Sequence, residues 1–334
     1  MPEESSPHEG TWLQWPHHYQ YGAGYRDRLD AAWVEMTKAL ADGEKVHIIA
    51  YDETEKDRIT GLLADEGVSP LNINFMIYPT DDVWVRDNGP VFVKDRDGKL
   101  YITDWGFNGW GQKADYDLCD KIPALIAKDI DVPVVNPLII NEGGAVEIDG
   151  NGTLMTTRSV ILNRNRNPGM TQKKAEGIFT EYLGATNFIW LDGEEGMDIT
   201  DMHIDGFARF ADSRTIVTMS RDDLSYWGVS GKDSETLFAA KDKDGAAYNF
   251  VALPLTGNDV ITAYGKNLGY KGSYVNFYVA NTVVLVPNYN DENDSVANEL
   301  IGSLYPTKEV IGIDVRNLYE NGGMVHCVTQ QQPL

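Results

Sequence analysis

Cys327 is the residue whose type and position best suit nucleophilic chemistry. It is one of two cysteines in the chain, the other being Cys119. It follows Gly322-Gly323, a pair that gives the backbone freedom to approach a ligand. A buried strand cysteine is the alternative, because a free cysteine packs as a small apolar side chain. Since the reactivity of a thiol depends on its neighbours, the tail alone leaves both interpretations open.

His203 and Asp205 form the second chemical signal. If their segment is a strand, side chains alternate between its two faces, so the imidazole and the carboxylate share one surface. Three interpretations follow: a metal site that includes Asp201 or Asp198, an acid–base histidine, or a surface pair. Metal sites usually need more histidine or cysteine ligands than this chain, with six histidines, supplies.

Two further carboxylates lie beside glycine. Asp87 precedes the turn Gly89-Pro90 and is predicted to sit at a strand end, the alternative being a surface pair with Arg86. Glu142 follows the apolar run 137–140, predicted as a buried strand, and precedes two glycines. A glutamate in that place is poorly positioned for simple solvation, so we expect it to line a cleft.

Together these residues provide one thiol, one imidazole and three carboxylates. A cysteine with a histidine is the arrangement of a nucleophile and its acid–base partner. Several carboxylates suit a planar cation, because a guanidinium presents five N–H donors in a fork that matches carboxylates. The set therefore favours a small cationic guanidino substrate.

The elements that must position these residues alternate between strands and helices. Apolar spacing predicts helices over 25–40, 54–64, 115–128, 171–183, 231–241 and 290–304. Strands are predicted over 11–16, 45–51, 71–78, 91–94, 100–104, 132–136, 188–191, 215–219, 250–254 and 282–287. Five helices after the first, about 60 residues apart, indicate a repeated α+β unit. No low-complexity linker interrupts the chain, so we predict one domain over residues 1–334.

The composition excludes several classes of protein. The chain of 334 residues has 28 basic and 51 acidic residues, a net charge of −23, so nucleic acid is an unsuitable partner. No apolar stretch has the length of a membrane span, and the N-terminus does not have the pattern of a signal peptide. Two cysteines fit a reducing compartment. We therefore expect a soluble, cytoplasmic protein with no nucleic-acid or membrane partner.

Several long motifs resemble the agmatine deiminases, within the bacterial-type peptidylarginine deiminase family of the guanidine-modifying (pentein) superfamily. They are 7–12 (PHEGTW), 84–90 (WVRDNGP), 104–111 (DWGFNGWG), 142–144 (EGG), 162–168 (LNRNRNP), 203–205 (HID), 273–278 (SYVNFY) and 322–333 (GGMVHCVTQQQP). The match runs nearly end to end. It implies an α+β fold, the five-bladed α/β propeller of pseudo-fivefold symmetry, with the site in a central channel.

The resemblance also implies a role for each site residue. Cys327 attacks the guanidinium carbon, and His203 protonates the leaving ammonia and then activates water. Glu142 orients His203 or shares in binding. The implied substrate-binding residues are Asp87, Asp205, Trp84 and Asn276. No metal or organic cofactor is implied, family members typically form homo-oligomers, and segment 164–168 is expected to be a structural loop.

The substrate is the least determined part of the prediction. Met202 and Met324 depart from the family pattern beside the catalytic residues. The segment before His203 carries five acids and no basic residue, namely Asp192, Glu194, Glu195, Asp198 and Asp201. This setting favours a dication, so we predict hydrolysis of agmatine to N-carbamoylputrescine, a step of putrescine biosynthesis.

Three other classes remain open at this stage. One is another guanidine enzyme: an arginine or peptidylarginine deiminase, or an amidinotransferase. The second is a metal-dependent hydrolase built on His203, Asp205 and Asp201. The third is a non-catalytic binding propeller, which an unreactive Cys327 would favour.

Overall fold

The computed structural model describes residues 1–334, which divide into two compact units. The mid-chain unit comprises Met1–Glu3 and Asp87–Pro254. The terminal unit comprises Glu4–Arg86 and Leu255–Leu334. No helix in either unit is both long enough and apolar enough to span a bilayer.

Sixteen short strands form five separate sheets. In chain order they are β1 His8–Gln14, β2 Lys45–Ala50, β3 Ile73–Ile77, β4 Val91–Lys94, β5 Leu100–Thr103, β6 Val134–Val135, β7 Val146–Ile148, β8 Thr153–Thr157, β9 Asn187–Leu191, β10 Arg209–Asp212, β11 Thr215–Met219, β12 Asn249–Leu253, β13 Tyr278–Val279, β14 Val283–Asn288, β15 Glu309–Asp314 and β16 Gln330–Pro333.

Helices connect these strands. They are α1 His18–Tyr21, α2 Ala23–Ala41, α3 Glu53–Asp65, α4 Val85–Asn88, α5 Gly109–Gln112, α6 Ile122–Asp129, α7 Arg158–Ile161, α8 Gln172–Leu183, α9 Arg221–Tyr226, α10 Gly231–Phe238, α11 Asn293–Leu304 and α12 Arg316–Tyr319. Single 3-10 turns cover Pro70–Asn72, Cys119–Lys121, Gly143–Ala145, Ile204–Gly206 and His326–Val328.

One strand pattern recurs in every sheet. The mid-chain unit has three sheets, β4-β5-β6, β7-β8-β9 and β10-β11-β12, and in each the first pair is antiparallel and the second parallel. The terminal unit repeats the pattern in β13-β14-β15 and in β16-β1-β2, with β3 added in parallel. A parallel pair needs a long crossover connection, so each repeat requires a helix or an extended segment between its last two strands.

Helix α8 shows how the local sequence sets these crossovers. The Thr171 side chain accepts a hydrogen bond from the amide of Lys174 at its start, and Gly184, in the left-handed conformation, ends it. Its buried residues Ala175 and Phe179 recur at helical spacing. They join the apolar core of the mid-chain unit, as the periodicity predicts.

Two predicted elements outside the segments of Asp87, His203 and Cys327 differ in the structure. The predicted strand 137–140 is absent, and Leu138 is 87% exposed there. The side chain of Asn167 instead bonds the backbone N–H and C=O of Ile140, which replaces the partners that a strand would provide. The predicted helix 115–128 begins only at Ile122, because Pro123 is tolerated in a first turn and not in a helix interior.

Candidate active site

Three of the predicted site residues in the mid-chain unit meet around Gly144. A methyl group on this glycine would lie 2.8 Å from His203 Nδ1, 2.9 Å from Asp87 Oδ1 and 3.0 Å from Asp205 Oδ2. The first two distances are shorter than a side chain tolerates, so a residue other than glycine would displace His203 and Asp87. The amide of Gly144 also donates a hydrogen bond to Asp87 Oδ1 at 3.1 Å.

Glu142 completes this group, which we call the histidine cluster: Asp87, Glu142, His203 and Asp205. His203 Nε2 lies 3.3 Å from Glu142 Oε2, and Nδ1 lies 3.6 Å from Asp87 Oδ1. The imidazole is thus held between two carboxylates. All four side chains are buried, Glu142 completely.

The strand predicted for His203 and Asp205 is wrong. His203 precedes the 3-10 turn Ile204–Gly206, so a turn brings the two side chains together. Asp201 and Met202, just before it, have φ of 62° and 77°, which a strand does not allow. The strand end predicted for Asp87 is also wrong, since Asp87 lies in the helical turn α4.

The cluster changes the proton affinity of its members. Burial lowers the pKa of His203, but the charge of Asp87 and the hydrogen bond to Glu142 outweigh it and raise that pKa to about 9. Burial raises the pKa of Asp87, although the nearby imidazole opposes this. Burial also acts to raise the pKa of Glu142, but hydrogen bonding to His203 and the Arg166 charge leave it lowered. At neutral pH the histidine is therefore an imidazolium beside a carboxylate.

Sequence reasoning missed Arg166 and Trp110, which contact the cluster, and Lys113, which contacts only the neighbouring Asp201. Arg166, from the segment expected to be only a structural loop, donates from Nε to Glu142 Oε1 at 2.7 Å. Lys113 donates to Asp201 Oδ2 at 2.6 Å. Trp110 donates from its indole to Asp87 Oδ2 at 2.9 Å, from a loop in which Gly109–Gln112 all have positive φ. The one general rule that could have indicated these contacts is that an arginine, where it is buried, needs carboxylate partners.

Cys327 lies in the terminal unit, in the 3-10 turn His326–Val328 rather than in a strand. Asn276 Oδ1 accepts a hydrogen bond from the amide of His326 at 3.0 Å and lies 3.5 Å from Cys327 Sγ. Arg86 donates from Nε to the carbonyl of His326 at 3.2 Å. Cys327 is partly exposed, whereas Cys119 is buried, so only the first thiol is open to a ligand.

The two glycines before Cys327 serve packing as well as turning. Gly322 has a φ of 90°, and a methyl group on Gly323 would lie 2.0 Å from the Trp84 ring. Gly323 therefore lets Trp84 pack against the backbone of the cysteine segment. Met324 is buried at 3% exposure, as is Met202 in the mid-chain unit.

The acidic segment before His203 is not an uncompensated patch, which corrects the argument made from its sequence. Asp192 pairs with Arg158 and Lys232. Asp201 pairs with Arg166 and Lys113. Basic residues distant in sequence therefore neutralise part of the run, and the sequence window could not reveal them. No group of three or more His, Cys, Asp or Glu side chains has the arrangement of a metal site.

Comparison with known proteins identifies relatives of the whole chain. An agmatine deiminase from Stutzerimonas stutzeri is 31% identical over 361 residues, covering 100% of this chain and 95% of the relative. A candidate arginine deiminase from Porphyromonas gingivalis is 32% identical, with a TM-score of 0.86 and coverage of 100% and 97%. A cysteine-to-serine variant of a Campylobacter jejuni agmatine deiminase with substrate bound is 26% identical, with a TM-score of 0.85 and coverage of 99% and 95%.

These full-length matches confirm the predicted α+β fold, the five-bladed α/β propeller, to which the five sheets correspond. The family model for the Porphyromonas-type peptidyl-arginine deiminases matches residues 1–333. The chain belongs to that family, as its motifs predict.

Proposed function

We propose that this protein is an agmatine deiminase, a hydrolase that converts agmatine and water to N-carbamoylputrescine and ammonia. The observation that carries the proposal is a buried imidazole held between Asp87 and Glu142, with a pKa of about 9. Such a group is an acid at neutral pH, and its carboxylate neighbours suit a guanidinium. Similarity to an agmatine deiminase over the whole chain supports this substrate.

In the first half of the reaction the Cys327 thiolate attacks the guanidinium carbon. Asp87 and Asp205 accept hydrogen bonds from the guanidinium nitrogens and fix the plane of the substrate. The imidazolium of His203 gives its proton to the departing nitrogen, so a C–N bond breaks, ammonia leaves and an amidino-thioether remains on Cys327. This assignment makes Cys327 the nucleophile and His203 the general acid.

In the second half His203, now neutral, takes a proton from water as the oxygen attacks the same carbon. The C–S bond then breaks, the thiolate is restored, and the carbamoyl group forms as its remaining hydroxyl proton passes to solvent. Glu142 keeps the imidazole oriented through both halves, with Trp84 and Asn276 supporting the substrate and the nucleophile. All the chemical roles belong to side chains, so the proposal includes no metal or organic cofactor.

The proposal makes residues 1–334 one catalytic domain, because Cys327 and the histidine cluster must act on one carbon. It also places the enzyme in the cytoplasm, where cysteines such as Cys119 and Cys327 remain reduced. A homo-oligomer is part of the proposal by family likeness, and sedimentation would measure it. The partner is the small guanidino substrate, with neither nucleic acid nor membrane involved.

A deiminase of free or peptidyl arginine is the second candidate. It is favoured by the likeness to the candidate arginine deiminase, and by the lysine and arginines that neutralise the acidic segment. Arginine carries a carboxylate that agmatine lacks, and burying it unpaired costs several kcal/mol. Discrimination on the order of 10⁴-fold is then reachable.

The test is kcat/KM for agmatine, free arginine and a peptide ending in arginine, with ammonia and the ureido product both measured. We expect agmatine to be the best substrate by at least about 10²-fold. If either arginine substrate equals agmatine, the substrate assignment is wrong and the deiminase chemistry stands. If none yields ammonia, the deiminase assignment itself is wrong.

A further inference from the structure

We propose that Arg166 is a positioning residue for His203, an inference that rests on the proposed function of the histidine cluster. Its Nε donates to both oxygens of Glu142, at 2.7 and 3.0 Å. Its Nη1 donates to Asp201 Oδ2 at 2.7 Å, and its Nη2 donates to the carbonyl of Thr200 at 3.0 Å. One guanidinium thus binds the carboxylate that touches the imidazole and the backbone that carries it.

The geometry requires arginine and not merely a positive charge. The Arg166 side chain is fully buried, and its three nitrogens point to three separate acceptors in a fixed plane. A lysine ammonium is a single point of charge and cannot reach these acceptors together. Substitution by lysine therefore separates the loss of geometry from the loss of charge.

The segment that Arg166 holds is strained. Asp201 and Met202 are consecutive non-glycine residues with positive φ, a conformation that costs energy and persists only where surroundings impose it. Asp201 is fixed from three sides, by Arg166, by Lys113 and by the amide of Gly196. The backbone of His203 follows directly from this anchored pair, so its position depends on the link to Arg166.

The positive charge of Arg166 also affects the pKa of His203. Asp87, Glu142 and Asp205 act on His203, and all three raise its pKa, with Arg166 the cation bound to Glu142. Removing that cation leaves more uncompensated negative charge beside the imidazole, which favours its protonated form. Arg166→Gln should therefore shift the titration of His203 to higher pH, whereas Arg166→Lys should leave it near its original value.

The experiment compares Arg166→Lys, Arg166→Gln and the matched control Lys113→Met. The control removes the other cation on Asp201 Oδ2 and leaves the bond to Glu142 intact. Kinetics with agmatine are combined with NMR titration of labelled histidine, in which His203→Asn identifies the His203 signal. Thermal unfolding of every variant reports the folded fraction.

We expect Arg166→Lys to lower kcat by about 10²-fold with KM changed less than about threefold, because the acid–base group is displaced and not removed. Lys113→Met should lower kcat by less than about threefold. If Arg166→Gln does not fold, Asp201→Asn weakens the bond between Asp201 and Arg166 from the other side. We expect it to lower kcat by a factor similar to that of Arg166→Lys.

Two results would overturn the inference. One is an Arg166→Lys enzyme with kcat within threefold of the unaltered chain. The other is equal losses in Arg166→Lys and Lys113→Met that follow their melting temperatures, with an unmoved His203 titration in Arg166→Gln. If the unaltered chain hydrolyses no guanidine, the proposed function fails, and the NMR titration still tests the role of Arg166.

Discussion

The histidine cluster and the Cys327 turn are both built on short turns, but different atoms hold them in place. In the cluster, side chains act on side chains, as Glu142 and Asp87 flank the imidazole itself. In the cysteine turn, Asn276 and Arg86 bind the backbone N–H and C=O of His326, and Asn276 is also near the thiol. Charged side chains are present there too, since Glu4 contacts the His326 ring and Arg86. The imidazole of the first region is therefore held directly by carboxylates, whereas the cysteine is held through the backbone of its turn.

This difference predicts different responses to substitution. A carboxylate beside His203 sets both where the ring lies and when it loses its proton, so its removal should alter the rate and the pH profile together. A neutral side chain that holds a backbone turn should alter the rate alone. The following predictions test that division, beginning with the largest effect.

Cys327→Ser should lower kcat for agmatine by about 10⁴-fold or more, because a serine hydroxyl at neutral pH is a far weaker nucleophile than a thiolate. Cys119→Ser is the control, since this thiol is buried and free of any assigned role. Steady-state ammonia release measures both. Substantial ammonia release by Cys327→Ser would mean that Cys327 is not the nucleophile.

Glu142→Gln should lower kcat by about 10²-fold and move the pH profile. The pKa of His203 is raised to about 9, so the acid form persists at neutral pH and kcat/KM should fall as pH rises above about 9. Loss of the carboxylate should shift this descent to lower pH, because the imidazolium loses a charged partner.

Glu147→Gln provides the matched control for that shift. Glu147 is another buried glutamate of the mid-chain unit, and it pairs with Arg209 at 2.8 Å instead of with the histidine. We expect this variant to melt at a lower temperature and to keep the descent near pH 9. An equal shift of the pH profile in both variants would mean that the contact with Glu142 does not set the pKa of His203.

Asn276→Ala should lower kcat by about tenfold, since about 1–2 kcal/mol is lost with the acceptor for the His326 amide and the thiol. The descent above pH 9 should remain in place. Asn281→Ala removes comparable bonds to His8 in the same unit and should retain activity. If Asn276→Ala also shifted the pH profile, the proposed difference between the two regions would be contradicted.

Prolonged dialysis against a chelator should leave activity unchanged, because the proposed mechanism assigns every chemical step to side chains. The measurement is kcat/KM before and after dialysis, with divalent ions then added singly. Loss of activity that one ion restores would favour the hydrolase built on His203, Asp205 and Asp201.

The sequence by itself determined the family and most of the repeated elements, and it predicted the candidate site residues. The bounds of β4 and β11 match their predictions, and α8 begins after Thr171 as predicted. These features depend on local causes: side-chain alternation, helical periodicity and capping residues act over a few positions. Motifs around Cys327 and His203 were long enough to indicate the family.

Only the tertiary structure decided how the histidine is held. Glu142 and Arg166 are 24 residues apart, Glu142 and His203 are 61 apart, and the amide that binds Asp87 comes from Gly144, 57 positions later. No local pattern encodes such pairings, because they arise when turns and loops that are distant in sequence pack together. The left-handed backbone before His203 has the same origin, since Arg166 binds Asp201 and the carbonyl of Thr200 and holds a conformation that the local residues disfavour.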